Sequence, residues 1–268
     1  MSDGMLPLVG FDTHLDGLRR ASAVFTGAMA GTDLTTPVPT CPDWSALDLL
    51  THLGMVHRWA TAVITGDAES AADPDALAEQ GRTADDGLAW FTQGVQHLLI
   101  ALDDAPADLD ALVFLKEAPA PRLFWARRQC HETTIHAADA LSAAGLPVLP
   151  AELGLTGDLA ADGIDELLRG FWQRGRTTHR SPAPYAVTVR PTDAPWAWLV
   201  QVGPDGTVSR RLASTKIDAA LSVVSPTSAR HSVSGTSADL YLALWNRGGE
   251  VSDDAGVLPR WHAAAIRW

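Results

Sequence analysis

Lysine is almost missing from this chain: Lys116 and Lys216 are the only two in 268 residues. The rest of the positive charge is arginine, in scattered pairs such as Arg19-Arg20, Arg127-Arg128 and Arg210-Arg211, and the net charge is −12. An acidic chain without a basic stripe repels a phosphate backbone, so nucleic acid is not an expected partner. Cysteine is equally scarce. Cys41 and Cys130 are too few for a disulfide framework in a chain of this length, and the expectation is a reducing cytoplasm. No run of about 18 apolar residues is present, so no membrane-spanning helix and no membrane partner are expected. The start, MSDGMLPLVGFDTH, has neither a basic stretch nor an apolar one, which predicts no secretory leader. Internal repeats and low-complexity tracts are absent too.

What is present is enough apolar material for a large core: 46% of the residues are hydrophobic and 19% charged. The first half carries that material at helical spacing. In residues 11–30, Leu15, Leu18, Ser22, Phe25 and Met29 recur at intervals of three and four; in 84–104, Leu88, Phe91, Val95, Leu98 and Leu102 do the same. Between them, 45–65 carries Leu49, Leu53, Val56, Ala60 and Val63, with Ser45 and Asp48 as a capping signal at its start and Pro37, Pro39 and Pro42 holding the preceding loop extended. A fourth helix is predicted from Pro121 to Ala144, stopped by Gly145 with Pro147 beyond. Four helices with modest connections predict a four-helix bundle over residues 1–147.

The pattern changes after a Gly-, Pro- and Leu-rich linker at 145–157. Residues 158–173 predict one more helix, with Ile164, Leu167, Leu168 and Phe171 on its apolar face. Strand signals follow. Tyr185, Val187 and Val189 alternate with small or polar residues. Residues 196–202 and 207–212 flank Gly203-Pro204-Asp205-Gly206 as a hairpin, and Ile217, Ala219, Leu221 and Val223 alternate as a further strand. A late helix is predicted over 237–247, capped by Ser237 and stopped by Gly248-Gly249. The expected whole is α+β, with a smaller α+β domain over 155–268 behind the bundle.

Chemistry concentrates in the fourth helix, at Cys130-His131-Glu132-Thr133-Thr134-Ile135-His136. Glu132 and His136, four apart, share a helix face and can reach one ion. A carboxylate and an imidazole suit zinc or another late first-row metal. His131 lies about 100° round the helix from Glu132 and points elsewhere. A third ligand has to come from a facing helix, and His52 sits mid-helix among apolar neighbours. Two histidines and one carboxylate leave positions open for water or substrate, the arrangement of catalytic metal sites. Other readings stand beside this one. Glu132 and His136 also suit a solvated pair, and His52 a hydrogen-bonded core histidine. Asp48 is a ligand or a cap, Arg128 is placed to pair with Glu132 instead, and Cys41 is a soft ligand, a nucleophile or a structural thiol.

Four segments in order resemble one family. They are Pro39-Thr40-Cys41-Pro42-Asp43-Trp44-Ser45 with His52-Leu53, then Phe124-Trp125-Ala126-Arg127-Arg128 running on to His131-Glu132-Thr133-Thr134-Ile135-His136 and Asp139-Ala140, then 161–168, and last 235–247. They are similar to the mycothiol-dependent maleylpyruvate isomerases, which belong to the DinB-like metal-binding helical bundles and carry a sterol-carrier-like C-terminal domain. The resemblance covers nearly the whole chain. It implies one zinc, or another divalent first-row metal, held by His52, Glu132 and His136. It also implies mycothiol as a small-molecule thiol co-substrate and a small electrophilic substrate. Metal coordination lowers a thiol's pKa and supplies thiolate. Thiolate then adds to the cis double bond of an acceptor such as maleylpyruvate, the adduct rotates, and elimination gives the trans isomer. Arginine suits the carboxylates of such a substrate, and Arg82, Arg128 and Arg247 are the candidates, with Arg127 beside them. One departure stands out: members commonly carry an arginine after the second ligand histidine, and this chain has Ala137. A mycothiol S-transferase of detoxification or secondary metabolism fits the same residues. From another class, so does a non-catalytic zinc-binding or carrier module, although there is no C-x-x-C of the zinc anti-sigma kind. Oligomeric state stays open, a monomer being compatible with everything above.

Overall fold

The computed structural model describes residues 7–115, 118–174, 179–225 and 228–263. The chain divides into two compact units. One comprises Gly10–Val113 and Pro119–Gly154; the other comprises Leu155–Trp268 with the short segments Met1–Val9 and Phe114–Ala118.

The first unit is helical. Its long helices are α1 (Phe11–Met29), α2 (Ala46–Thr65), α5 (Gly87–Asp104) and α6 (Pro121–Ala143), and the short α3 (Ala68–Ala72) and α4 (Pro74–Arg82) lie between α2 and α5. α1 packs chiefly on α6, and α2 on α5, α4 and α6. The apolar stripes meet inside: Leu15, Leu18, Phe25, Leu49, Leu53, Phe91, Leu98 and Leu102 are all buried, and the Phe25 and Phe91 rings lie 4.5 Å apart. The sequence signals at the helix ends operate as predicted. Ser45 and Asp48 form a reciprocal capping box at the start of α2, and Gly145 takes the left-handed conformation (φ 68°) just past α6. Trp90 of α5 fills the space beside Gly54 of α2 and Gly81 of α4, where a Cβ on either glycine would overlap its ring. Arg58 stacks over that indole, 3.8 Å from its centre.

The second unit is a five-stranded mixed sheet with helices. Its elements are α7 (Gly157–Asp165), running on into a π-helical turn at Glu166–Phe171, then β1 (Tyr185–Pro191), β2 (Trp196–Gly203), β3 (Gly206–Ala213), α8 (Ile217–Ser222), β4 (Ala229–Gly235), α9 (Ser237–Leu244), β5 (Ser252–Asp253) and α10 (Val257–Ala263). The strand order is β3-β2-β1-β4-β5, with β1 and β4 parallel and the other neighbours antiparallel. α7 packs against α9, and Asp165, fully buried, accepts hydrogen bonds from Trp198 Nε1 of β2 (2.9 Å) and Arg211 Nη1 of β3 (3.0 Å). Among the described residues no helix is long and apolar enough to cross a membrane.

Three local expectations change. Residues 217–222 form helix α8, not a strand, and Val223 follows its end. Ile217, Ala220 and Leu221 follow the i, i+3, i+4 spacing and pack on Ala186, Ala197 and Leu199 of the sheet, while Ala219 and Val223, which a strand would bury, are exposed. The cap of α9 is Thr236, which accepts from the Asp239 N–H, whereas Ser237 is bonded to Asp193 through both N–H and hydroxyl. That helix also ends earlier than predicted, because Asn246 takes the left-handed conformation (φ 61°) ahead of the two glycines. β4 carries no strand signal in the sequence: Val233 is its only buried residue, and pairing with β1 on one side and β5 on the other defines it.

Candidate metal centre

α6 is polar in sequence yet buried without interruption from Phe124 to Leu141. Within that stretch lie Arg127, Arg128, His131, Glu132, His136 and Asp139, each at most 5% exposed. Burying that many ionisable groups on one helix is costly unless they compensate one another or hold a ligand.

Glu132 is the hub. Its Oε2 accepts from Arg128 Nη2 at 3.0 Å, one turn back along α6. Its Oε1 faces two imidazoles, His52 Nε2 and His136 Nε2, each at 3.3 Å. The donor atoms of all three residues lie within 4.8 Å of one another. The capping box sets where α2 begins, so His52 points at α6 from its second turn. There it is partly open to solvent, whereas Glu132 and His136 are almost sealed.

The spacing is long for a charge-assisted hydrogen bond and suits donors that share an ion. Charge-assisted N–H···O bonds run at about 2.7–2.9 Å. Donors about 2.0–2.1 Å from a shared ion at tetrahedral angles lie about 3.3 Å apart. The two Glu132–histidine distances match the second figure, so the residues present fit a metal ion. Zinc or a neighbouring divalent metal is the match for a two-imidazole, one-carboxylate set.

Electrostatics in the protein alone follow the same arrangement. Burial works to raise the Glu132 pKa, but hydrogen bonds from His136 and His52 and the charges of His136 and Arg128 hold it well below the usual carboxylate range. Burial works to lower that of His136, but its bonds to Asp139 and Glu132, and their charges, push it up to about 9. An ion held by these residues would take the place of a proton on that ring.

The loop before α2 builds one wall. Pro37 bridges to Ser45, Val38 N–H donates to the Trp44 carbonyl and Trp44 N–H to that of Cys41, closing a tight turn. Trp44 thereby lies against both histidine rings, 4.7 Å from His52 and 5.8 Å from His136 between centres. Thr40 and Cys41 reach Asp139. Cys41, read as a ligand, a nucleophile or a structural thiol, is half-buried with Sγ 3.6 Å from that carboxylate.

The other candidates fall as follows. Asp48 is the cap of α2, and its carboxylate also accepts from Arg82 Nη1 at 3.0 Å, so Arg82 is an exposed partner of the cap. Ser45's hydrogen bonds, then Arg82, keep the Asp48 pKa low. Arg128 contacts the triad through Glu132. Arg247 belongs to the sheet-containing unit, where it donates to the Trp245 carbonyl. His131 points away from Glu132, towards His14, ring centres 5.9 Å apart. Ala137 is fully buried. Sequence reasoning passed over Asp139 as a site residue. It accepts from His136 Nδ1 at 2.9 Å, and its position three residues after His136 was the available signal. It also passed over His57, whose Nε2 shares a 2.9 Å hydrogen bond with the Thr133 hydroxyl behind Glu132.

Comparisons with known proteins bear on the whole chain. Residues 15–141 match the family described as Mycothiol maleylpyruvate isomerase N-terminal domain, and residues 158–263 the MDMPI C-terminal domain. No curated protein sequence matches significantly. Among solved structures, a crystal structure of the mycothiol-dependent maleylpyruvate isomerase superposes with a TM-score of 0.61 at 14% identity, covering 94% of this chain and 97% of that one. A mutant of the same isomerase superposes at 0.62 and 13% identity with the same coverage. At that identity the likeness is one of fold.

Proposed function

That this chain belongs to the mycothiol maleylpyruvate isomerase family is the premise from which we propose its function. It is a metal- and mycothiol-dependent enzyme that acts by thiolate addition to a small electrophile, with cis–trans isomerisation of maleylpyruvate as the leading reaction. The observation that carries this reading is Glu132 Oε1 facing two imidazole nitrogens at ion-ligand spacing, with Oε2 already engaged by Arg128.

His52, Glu132 and His136 would hold the ion. When bound, it lowers the pKa of a coordinated thiol and supplies thiolate at neutral pH. The chain's own residues do the rest. Arg128 fixes the Glu132 carboxylate so that a single oxygen faces the histidines. Asp139 holds the His136 ring by Nδ1 and leaves Nε2 to the site. Trp44 shields one side of the imidazoles from water, and the partly exposed His52 marks the side open to thiol and acceptor. In the isomerisation the sulfur forms a bond to one alkene carbon, the former double bond rotates as a single bond, and the carbon–sulfur bond breaks to return thiolate. Residues 1–147 supply the metal centre in this reading, and 155–268 the family's second domain.

One observation favours the S-transferase variant, in which the same thiolate is delivered to another acceptor. The position that commonly carries arginine in the family is the buried, apolar Ala137, and Arg82 and Arg128 already serve protein carboxylates. A dianionic acceptor is thereby less well matched.

The test is elemental analysis of the purified protein beside an assay with mycothiol and maleylpyruvate. About one metal per chain with isomerisation is expected. Metal without isomerisation moves the reaction to the transferase variant. Metal with no thiol turnover on any acceptor favours the non-catalytic module, and no metal after reconstitution removes the proposal.

A further inference from the structure

We propose that Asp139 is a positioning residue that couples the metal centre to the Thr40–Trp44 loop, an inference that rests on the metal reading above. The side chain is fully buried, so its charge needs donors, and His136 and the Thr40–Cys41 turn are among them. Its Oδ2 accepts from His136 Nδ1 at 2.9 Å; its Oδ1 accepts from Thr40 Oγ1, and Cys41 Sγ lies 3.6 Å from Oδ2. One carboxylate therefore grips both a candidate ligand and the loop that walls the site.

Each grip has a consequence. An imidazole bonded through Nδ1–H to a carboxylate presents the lone pair of Nε2, the atom that faces Glu132 Oε1. Thr40 and Cys41 sit at the tip of the turn whose closing residue, Trp44, lies against both imidazoles. Fixing the turn fixes the indole, and the indole limits where His136 and His52 can swing. The ring and the loop are held through the same two oxygens, so ordering one favours the other. Such coupling is reciprocal: the ordered loop binds the ion more tightly than the loosened loop by the same factor by which the bound ion favours the ordered loop. A carboxylate retained only for packing would show no such linkage.

The experiment measures cobalt(II) and zinc(II) affinity by chelator competition, with the cobalt absorption spectrum, in the full-length parent, Asp139→Asn and Thr40→Val. Alkylation of Cys41 is followed on the same samples, with the fully buried Cys130 as internal control. Asp139→Asn keeps shape and loses charge. It is expected to weaken both metals at least tenfold, to alter the cobalt spectrum and to speed Cys41 alkylation in the folded protein. A smaller loss of affinity overturns the positioning role. Should Asp139→Asn not fold, Thr40→Val decides. It leaves the His136–Asp139 bond in place, so weaker metal binding by threefold or more together with faster Cys41 alkylation supports the coupling, and no change in either overturns it. A parent that binds no metal removes the metal reading and this inference together, whereas a parent that binds tightly beside an equally tight Asp139→Asn removes only the inference.

Discussion

Arg128 Nη2 lies 3.0 Å from Glu132 Oε2, one helical turn away and almost completely buried. This contact divides the work of the two carboxylate oxygens, one to a fixed guanidinium and one to the histidines. It also leaves Arg128 compensating a buried charge. Replacing it with methionine is expected to destabilise the metal-free protein by about 3–5 kcal/mol, because the buried carboxylate loses its guanidinium and keeps only the imidazoles as partners. A bound divalent ion supplies a substitute charge, so the loss should shrink when zinc is present. Denaturant unfolding of parent and Arg128→Met, each with and without zinc, measures the difference; an equal loss in both states rejects it.

Loss of a proposed ligand should abolish metal binding without unfolding the chain. For His52→Ala and Glu132→Gln, the expected content falls from about one metal per chain to a small fraction, with circular dichroism retained. Stoichiometric metal in either variant sinks the assignment.

His57 sets a pH dependence of stability. Burial, the dominant cause, pushes its pKa down to about 3 from an ordinary 6.5, with Arg58 and the other histidines adding to it against the opposing pull of Glu132. A group with a depressed folded-state pKa contributes stability that is complete above 6.5 and is lost as pH falls towards 3. Between pH 6.5 and 5, above the range of ordinary carboxylates, this residue alone should remove about 1.5–2 kcal/mol. Urea unfolding of parent and His57→Leu across that window provides the check. The variant should show a flatter profile, and equal slopes would exclude His57 as the cause.

Trp90 occupies space that Gly54 leaves open. Gly54→Ala should cost about 1–3 kcal/mol by overpacking. Combining it with Trp90→Leu should recover part of that loss, since the two residues share one cavity. Strict additivity in the double mutant would show that the clash is relieved elsewhere.

Much of the helical unit was legible because its signals are local. The stripes of Leu15, Leu18 and Phe25, and of Leu88, Phe91 and Leu98, repeat every three or four residues, and Ser45 with Asp48 marks a helix start within four positions. The 203–206 hairpin was legible for the same reason. α8 was misread because apolar residues in a six-residue segment satisfy both periods, and only the sheet beneath it selects one. β4 was invisible because a strand held by two neighbours needs no apolar alternation of its own.

Sequence by itself determined the helical half, the α+β half and the pairing of Glu132 with His136, since helix pitch alone brings residues four apart to one face. Tertiary structure decided what that pair meets. The packing of α2 on α6 brings His52 across 80 positions of chain to Glu132, and the turn before α2 lays Thr40, Cys41 and Trp44 against Asp139 and the imidazoles. No local rule contains those distances, because they follow from how buried faces fit together, and a buried charge finds its partner wherever that fit places one.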